Sequence, residues 1–267
     1  MESKLNPFYR FKQVSETIIH NTRSSPFLTR DSIKVLSWNI AKNNYNPSWS
    51  KDFLAIVEQY RPDKIFLQEV SLNANTKEVP ELTQMSWAFA PNFIDTYNNT
   101  YSGILIATKG EGISSKAMLT NHYEPIINTP KVSLFTEHSL GDGSEKLLAV
   151  NTHLINFVNL SKFIAQLQKI ESILNQYRGA IILAGDFNTW NKPRWLMLYK
   201  MAARLNLTSV SFIAEDTRKI KSFLLSPPLD YIFYRGFTPK LHTAKVIDNI
   251  SSSDHNPLFV ELCLNQD

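Results

Sequence analysis

The sequence predicts a single α/β domain in which strands outnumber helices. Residues 181–184, Ile-Ile-Leu-Ala, form a short apolar run that ends at Gly185, and this pattern is typical of a strand buried on both faces. Before it, residues 160–177 carry apolar side chains at helical spacing and are followed by Gly179, so a helix should lead directly into that strand. With 267 residues, of which 43% are hydrophobic, the chain can bury a sizeable core around these elements.

The remaining elements are predicted in order along the chain. Residues 1–32 lack clear periodicity and carry scattered charge, so we interpret them as an N-terminal extension in front of a domain that covers 33–267. An amphipathic helix over 49–60 ends before Pro62, and a further helix over 193–205 has Pro193 in its first turn. Strands are predicted at 33–40, 64–70, 85–90, 101–108, 113–119, 131–138, 146–154, 229–234, 246–250 and 258–264, and a Gly-Asp-Gly turn at 141–143 should join two of them as a hairpin.

Composition argues against membrane and secreted classes. No apolar run approaches the roughly 18 residues of a membrane-spanning helix, and residues 1–30 lack the apolar core of a secretion signal. The single cysteine, Cys263, excludes an intrachain disulfide and fits a reducing compartment. We therefore expect a cytoplasmic monomer without integral membrane association.

Polar residues stand where the predicted strands end. Asp186 and Asn188 follow the buried run at 181–184, and both point to one face if the backbone stays extended. Taken singly, each such residue has an ordinary explanation as a turn residue, a strand cap or a structural histidine. Together, carboxylates and imidazoles at strand ends indicate a divalent-metal site with a proton-transfer group beside it. The full set is Asn39, Glu69, His153, Asp186, Asn188, Asp230, Asp254 and His255.

These residues lie in six short motifs: Ser37-Trp38-Asn39-Ile40, Leu67-Gln68-Glu69, Asn151-Thr152-His153-Leu154, Gly185-Asp186-Phe187-Asn188, Leu229-Asp230-Tyr231-Ile232 and Ser253-Asp254-His255. The motifs resemble those of the endonuclease/exonuclease/phosphatase superfamily and stand in the same order. The resemblance covers roughly 33–264, and the form is most similar to poorly characterised bacterial members. It implies a four-layer α/β sandwich of two facing, mostly antiparallel sheets, the DNase I-like fold, with a Mg²⁺-dependent phosphoesterase site at one end.

The resemblance also implies a role for each residue. Glu69 would bind Mg²⁺, for which Mn²⁺ could substitute, with Asn39 and Asp254 assisting. A hard cation accepts such oxygen ligands and keeps waters that a substrate phosphate can replace.

The other five residues would carry the chemistry. Asp186 would orient and deprotonate the attacking water, and Asn188 would donate a hydrogen bond to the phosphorane. His255 would contact the phosphate or shuttle a proton, with Asp230 holding its ring, and His153 would be a second phosphate contact. Whether Asp186 or His255 is the general base stays open at the level of sequence.

The substrate is indicated only by charge. Residues 192–221 carry seven Lys/Arg against two Asp/Glu in a body that is otherwise nearly neutral, and they connect two strands that end at the site. A solvated helix face would explain this excess, but we expect Arg194, Arg218 and Lys221 to contact a polyanionic substrate.

We favour DNA or RNA as that substrate. The alternatives are a phospholipid or inositol-phosphate phosphoesterase and a catalytically silent binding protein of the same fold. The turn at 141–143 is too short and polar to be a membrane-docking hairpin. Repair endonucleases of the family carry an acidic residue where this chain has Ala41, which argues against abasic-site repair.

Overall fold

The computed structural model describes residues 10–22, 28, 31–110, 112–125, 128–141, 143 and 145–265. The helices are α1 (Pro47–Tyr60), α2 (Leu160–Leu174), α3 (Lys192–Arg204) and α4 (Ala214–Thr217), with a 3₁₀ turn at Pro80–Leu82. The strands are β1 (Phe11–Gln13), β2 (Ile18–His20), β3 (Ile33–Asn39), β4 (Lys64–Asn73), β5 (Ser86–Asp95), β6 (Thr100–Thr108), β7 (Gly112–Tyr123), β8 (Pro130–Leu140), β9 (Glu145–His153), β10 (Ala180–Asp186), β11 (Thr208–Ser209), β12 (Asp230–Arg235), β13 (Phe237–Pro239), β14 (Lys245–Val246) and β15 (Leu258–Leu264).

Three helices begin at an asparagine that caps the first turn. The side chains of Asn46, Asn159 and Asn191 accept hydrogen bonds from backbone N–H groups in the first turns of α1, α2 and α3. A proline stands in the first turn of α1 and of α3, where its missing N–H costs no helical hydrogen bond. These local signals fix where each helix starts.

The strands form two mixed sheets. The first has the order β1-β5-β6-β4-β3-β15-β13, with β2 also pairing with β5 and β14 with β15. The second has the order β11-β12-β10-β9-β8-β7. Strands β3 and β4 are parallel and α1 makes the crossover between them, while β9 and β10 are parallel with α2 as the crossover. The other pairs are antiparallel, including the β8–β9 pair, which forms the expected hairpin.

The sheets face each other and the helices cover their outer surfaces. Alternate residues of β10 show this: Ile182 packs in the apolar cluster between the sheets, while Leu183 packs in the cluster beneath α2 and α3. A third cluster places Trp49 of α1 against Trp38 on the outer face of the first sheet. The predicted four-layer α/β sandwich is therefore confirmed, and the strand at 181–184 is buried on both faces as its composition indicated.

The N-terminal residues are joined to the first sheet. We interpreted 1–32 as an extension, yet Phe11–Gln13 and Ile18–His20 both pair with β5. Arg10 adds an ion pair of 2.7 Å between its Nη2 and Oδ2 of Asp95. The part of this segment that the structure describes therefore completes the edge of the sheet, and residues 1–9 lie outside that part.

Two smaller expectations concern irregular segments. The strand predicted at 246–250 is reduced to Lys245–Val246, and within the basic stretch after α3 lies the short helix Ala214–Thr217. Asp142 of the predicted hairpin turn lies outside the described residues. None of the helices described here is long and apolar enough to cross a lipid bilayer.

Candidate active site

A cleft of about 400 Å³ opens at the end of the sandwich where β3, β9 and β10 reach their carboxyl ends. Seven of the eight polar residues predicted from the motifs line it, and the eighth, Asp230, lies behind and contacts His255. Sequence reasoning therefore identified the residues that converge on this cleft. The cleft is lined by Asn39, Ala41, Glu69, Glu124, Lys131, His153, Asn156, Phe157, Asp186, Asn188, Lys221, Phe223, Leu229, Asp254 and His255.

Strand register places the central residues side by side. Asp186 at the end of β10 is opposite His153 of β9 on one side and opposite Asp230 of β12 on the other. Gly185 makes this close approach possible, because its φ is +143° and a Cβ there would lie 1.9 Å from the carbonyl oxygen of Thr152. The glycine of the fourth motif is thus required by packing between β9 and β10.

The Asp186 carboxylate is buried and held at both oxygens. Oδ2 accepts a hydrogen bond of 3.0 Å from Nδ2 of Asn39 and lies 3.5 Å from Nε2 of His153. Oδ1 accepts a hydrogen bond of 2.9 Å from the backbone N–H of Asn188. Burial, and secondly the charge of Asp230, raise the pKa of Asp186 to about 7. A carboxyl group with this pKa can exchange protons near neutral pH.

Glu69 reaches the cleft through an irregularity in β4. The pairing of β4 with β6 shifts register between Leu67 and Val70, and Glu69 has a φ of +54°, which is uncommon for a residue other than glycine. Such backbone conformations persist only when the surroundings enforce them. The bulge turns the Glu69 side chain out of the strand and towards the cleft.

Asn151 of β9 supports this bulge from the facing sheet. Its Nδ2 donates hydrogen bonds of 2.8 Å to the carbonyl oxygens of Leu67 and Leu105, and its Oδ1 accepts one of 2.7 Å from Nε2 of Gln68. Asn151 and Gln68 are fully buried. The asparagine of the third motif therefore satisfies backbone groups that the bulge would otherwise leave without partners.

His255 and Asp230 form a buried pair. Nδ1 of His255 lies 2.7 Å from Oδ2 of Asp230, so Nε2 is the ring nitrogen left to face the cleft. Burial lowers the pKa of His255, but the charges of Asp230, Asp186 and Asp254 outweigh it and raise this pKa to about 9. His255 is therefore a cation at neutral pH.

His153 has the opposite electrostatics. Burial, followed by the nearby charges of Lys131, His255 and Lys42, lowers its pKa well below the ordinary value. Its Nε2 lies 4.0 Å from Oε1 of Glu69. The two site histidines consequently differ in charge, with His153 neutral and His255 protonated.

Asn188 keeps part of its hydrogen-bonding capacity for the cleft. One N–H of its amide donates to the carbonyl oxygen of Leu154 at 2.8 Å, which leaves the second N–H available. Its φ of +49° turns the chain sharply after β10.

Carboxylate and imidazole atoms of Asp186, Asp230 and His255 lie within 4.8 Å of one another. This trio differs from the predicted metal ligands, and its direct hydrogen bond between His255 and Asp230 leaves no space for an ion between those two groups. Glu69 is a better candidate. Within the described part of the chain, no side-chain donor lies within hydrogen-bond distance of its carboxylate, and the nearest ionisable partner is His153 at 4.0 Å. Such a carboxylate, facing a solvent-open cleft, fits a hard divalent cation.

The other two predicted ligands make protein contacts. Asn39 uses its Oδ1 to accept from the backbone N–H of Ala41 at 3.0 Å and its Nδ2 to bind Asp186. Oδ2 of Asp254 lies 2.8 Å from Nζ of Lys221, and the Asp254 side chain is 61% exposed. Both residues line the same cleft as Glu69.

The three predicted substrate contacts have different environments. Arg194 is 1% exposed, and its guanidinium donates to the carbonyl oxygens of Ile155, Asn188 and Val158 at 2.8–3.1 Å. It therefore cannot reach a substrate, and we correct its role to that of a structural residue that ties together the loops after β9 and β10.

Arg218 and Lys221 remain on the surface. Nε of Arg218 donates to the carbonyl oxygen of Ala214 at 3.2 Å, and Arg218 does not line the cleft. Lys221 does line the cleft, although its Nζ is paired with Asp254. Of the three, Lys221 alone is placed to meet a ligand in this cleft.

Several cleft residues were missed by sequence reasoning. Lys131 lies beside Glu124, with 3.4 Å between Nζ and Oε2, and Lys42 lines a small extension of the cleft next to Glu69. Phe157 and Phe223 are exposed at the rim. Lys42 stands three residues after Asn39, and this short spacing could have predicted that it lies near the site. Lys131 stands in an ordinary alternating strand and gave none.

Comparison with known proteins places this geometry in a family. The model of the endonuclease/exonuclease/phosphatase family matches residues 36–255. A UPF0294 protein of Vibrio parahaemolyticus is 33% identical over 236 residues, which span 87% of this chain and 78% of that protein. A UPF0294 protein of Klebsiella pneumoniae is 30% identical over 247 residues, spanning 89% and 84% of the two chains.

Solved structures share the fold. The human Nocturnin catalytic domain with bound sulfate superposes with a TM-score of 0.66 and 18% identity, covering 94% of this chain and 98% of that one. D. rerio TDP2 complexed with a single-strand DNA product gives a TM-score of 0.60 with 15% identity, covering 88% and 99%. The family match extends from the first motif to the last, and it supports a phosphoesterase or nuclease type of activity. This chain belongs to the endonuclease/exonuclease/phosphatase family.

Proposed function

We propose that this protein is a Mg²⁺-dependent phosphodiesterase, with Mn²⁺ as a possible substitute for Mg²⁺. The observation that carries the proposal is the pairing of unlike groups around one cleft: a buried Asp186 with a pKa of about 7, a neutral His153 and a protonated His255. Groups whose pKa values are pushed apart by their surroundings are the mark of acid–base chemistry. All three line the cleft of about 400 Å³.

Glu69 would hold the cation, with oxygen atoms of Asn39 and Asp254 near it. The bound cation would supply positive charge to a phosphate oxygen and reduce its repulsion of a nucleophile. Among the described residues, no side-chain donor lies within hydrogen-bond distance of the Glu69 carboxylate, and this supports the assignment.

Asp186 is our choice for the general base. It would accept a proton from the attacking water, while Asn39 and the Asn188 backbone keep its oxygens oriented. As the water oxygen bonds to phosphorus and the ester bond breaks, the leaving oxygen needs a proton. His255 is protonated at neutral pH and could donate it through Nε2, with Asp230 stabilising the ring. Asn188 and His153 would donate hydrogen bonds to phosphate oxygens.

The preference for nucleic acid is less well supported than the reaction type. TDP2 has been solved with single-strand DNA product, so nucleic acid stays a candidate substrate for the same fold. However, the basic stretch that favoured it is largely occupied: Arg194 is buried, Lys221 pairs with Asp254, and Lys219 pairs with Asp216 and Asp248. A phospholipid is the second candidate, and the exposed turn described below favours it.

The proposal is tested with a soluble aryl phosphodiester and Mg²⁺ or Mn²⁺. Glu69→Ala should weaken Mn²⁺ affinity at least about tenfold. Asp186→Asn should leave metal affinity nearly unchanged and lower kcat at least about 100-fold, the usual worth of a positioned proton-transfer group. The control is Asp248→Asn, because this carboxylate is half-exposed, pairs with Lys219 and lies outside the cleft. Absence of hydrolysis by folded wild-type protein with either metal would favour a silent binding protein, and near-normal turnover of Asp186→Asn would refute the role of Asp186.

A further inference from the structure

An apolar turn, closed by two hydrogen bonds, projects beside the cleft. Residues Phe223–Ser226 form a tight turn in which the Ser226 N–H donates to the carbonyl oxygen of Phe223 at 3.0 Å. The Phe223 N–H donates to Oγ of Ser226 at 2.8 Å. Two leucines occupy its centre, and they are almost fully solvent-exposed: 94% for Leu224 and 98% for Leu225.

Packing within the domain does not explain the two leucines of this turn. Central turn positions usually hold glycine, asparagine or other polar residues, and Leu225 has a φ of +60°, which is unfavourable for a branched apolar side chain. The two leucine side chains bury almost no surface within the domain, so packing does not offset the unfavourable backbone conformation of Leu225. A sequence that breaks both rules at one place indicates a function at that place.

The turn belongs to the rim of the active site. Lys221, Phe223 and Leu229 all line the cleft, so the chain enters and leaves the turn along its edge. Residues 222–229 contain no charged residue. Phe157, which is 63% exposed, adds a further apolar side chain to the same rim. The cleft therefore opens next to an uncharged apolar prong with one lysine at its base.

We propose that this turn inserts into the surface of a lipid bilayer and brings the phosphodiester of a membrane phospholipid to the cleft. The inference rests on the proposed phosphodiesterase function and names the substrate class for it. Apolar side chains beside a charged or polar face are the means by which proteins bind at the membrane interface without spanning it.

A nucleic acid is a poorer occupant of this surface. Binding of single strands relies on a cationic groove and on flat aromatic surfaces. The two leucines at the tip of the turn offer neither, and the exposed rings of Phe157 and Phe223 lie at the cleft rim and not at the tip. The two lysines nearest the turn, Lys219 and Lys221, are already paired with carboxylates. The sequence pattern did not reveal this device because the prong is a four-residue turn within an irregular segment and not a hairpin.

Binding to vesicles tests the proposal without relying on catalysis. The full-length protein is sedimented with vesicles of mixed phosphatidylcholine and phosphatidylglycerol in the presence of EDTA. We expect wild type to bind, and Leu224→Ser combined with Leu225→Ser to bind at least about tenfold more weakly, since each removes a large apolar side chain from the interface. Leu241→Ser is the matched control, because Leu241 is 82% exposed but lies outside the cleft.

Hydrolysis then separates this proposal from the one on which it rests. With Mg²⁺, the double variant should lose hydrolysis of vesicle phospholipid and keep wild-type turnover of the soluble aryl phosphodiester. If wild type hydrolyses the soluble ester but does not bind vesicles, the membrane anchor is refuted and the phosphodiesterase stands. If it binds vesicles through these leucines but hydrolyses neither substrate, the anchor stands and the phosphodiesterase is refuted. Equal loss of vesicle binding in Leu241→Ser, or loss of single-stranded DNA binding in the double variant, would refute the anchor.

Discussion

Replacing Asn151 by leucine should both destabilise the whole sandwich and loosen the candidate metal site around Glu69. Asn151 is a fully buried residue of β9 whose side chain crosses to the facing sheet. Leucine has the same number of side-chain heavy atoms and the same branching at Cγ, but it is larger and has no hydrogen-bonding group. The substitution therefore removes the polar contacts without opening a large cavity.

The expected loss follows from the partners left behind. The carbonyl oxygens of Leu67 and Leu105 each lose a hydrogen bond of 2.8 Å, and both residues are fully buried. A buried polar group without a partner costs about 1–3 kcal/mol, so the two together cost about 2–6 kcal/mol. Gln68 also loses its acceptor at Asn151 Oδ1, although its Nε2 keeps a contact of 3.2 Å with the carbonyl oxygen of Phe66. Because domains are usually stable by about 5–15 kcal/mol, this loss is large.

Urea unfolding measures the loss in free energy of unfolding. Titration with Mn²⁺, at urea concentrations below the unfolding transition, measures whether the affinity of the candidate site at Glu69 falls. Asn92→Leu is the matched control, since Asn92 is also buried and donates to a single carbonyl oxygen, that of Pro130, at 2.7 Å. Asn92→Leu should lower the free energy of unfolding by about half as much, because one carbonyl oxygen loses a hydrogen bond instead of two. A loss below about 1 kcal/mol for Asn151→Leu, or a loss no larger than that of Asn92→Leu, would refute the argument.

Three further predictions concern the site. Asp230→Asn should lower the free energy of unfolding by up to about 3 kcal/mol below pH 6.5. The pKa of His255 is raised from 6.5 to about 9 in the folded protein, with Asp230 as the first of three carboxylates that raise it, and the deficit should shrink as pH rises through 9. A double-mutant cycle tests whether the two residues act as a unit. Adding Asp230→Asn to His255→Ala should change neither the free energy of unfolding in urea nor kcat by much, whereas additive losses would show that the pair does not act as a unit. Arg194→Gln should lower the melting temperature and Arg218→Gln should not, since only Arg194 has its guanidinium buried on three carbonyl groups, and equal effects would contradict this assignment. Gly185→Ala should abolish folding or activity, judged by circular dichroism and turnover, because its Cβ would lie 1.9 Å from the Thr152 carbonyl oxygen, and a stable active variant would disprove the close approach.

The sequence alone predicted most of the elements and the eight polar residues that meet at or beside the cleft. The spacing of apolar residues along a strand or helix reflects which of its faces are buried, so this feature can be read from the local sequence. Residues 181–184 show it, since their composition indicated burial on both faces. The polar residues after each strand were also readable, because strands of an α/β sheet deliver such residues to a common edge.

Electrostatic roles were decided by tertiary contacts. Asn39 and Asp186 are 147 positions apart, and their hydrogen bond exists only after two strands are placed in facing sheets. The pKa of Asp186 depends on its burial and on the nearby charge of Asp230. The sequence gives neither the burial nor the distance between the two residues. The chain therefore predicted which residues meet, while the fold decided which of them hold a proton at neutral pH.

The same reason accounts for the expectation that was wrong and for the feature that was missed. A count of basic residues treats Arg194 and Lys221 alike, yet one is buried on backbone carbonyl groups and the other lines the cleft. Leu224 and Leu225 resemble ordinary core residues in the sequence, and only the fold leaves them in solvent. Charge and hydrophobicity are properties of a residue, but exposure is a property of its position in the folded chain, and function at a surface depends on exposure.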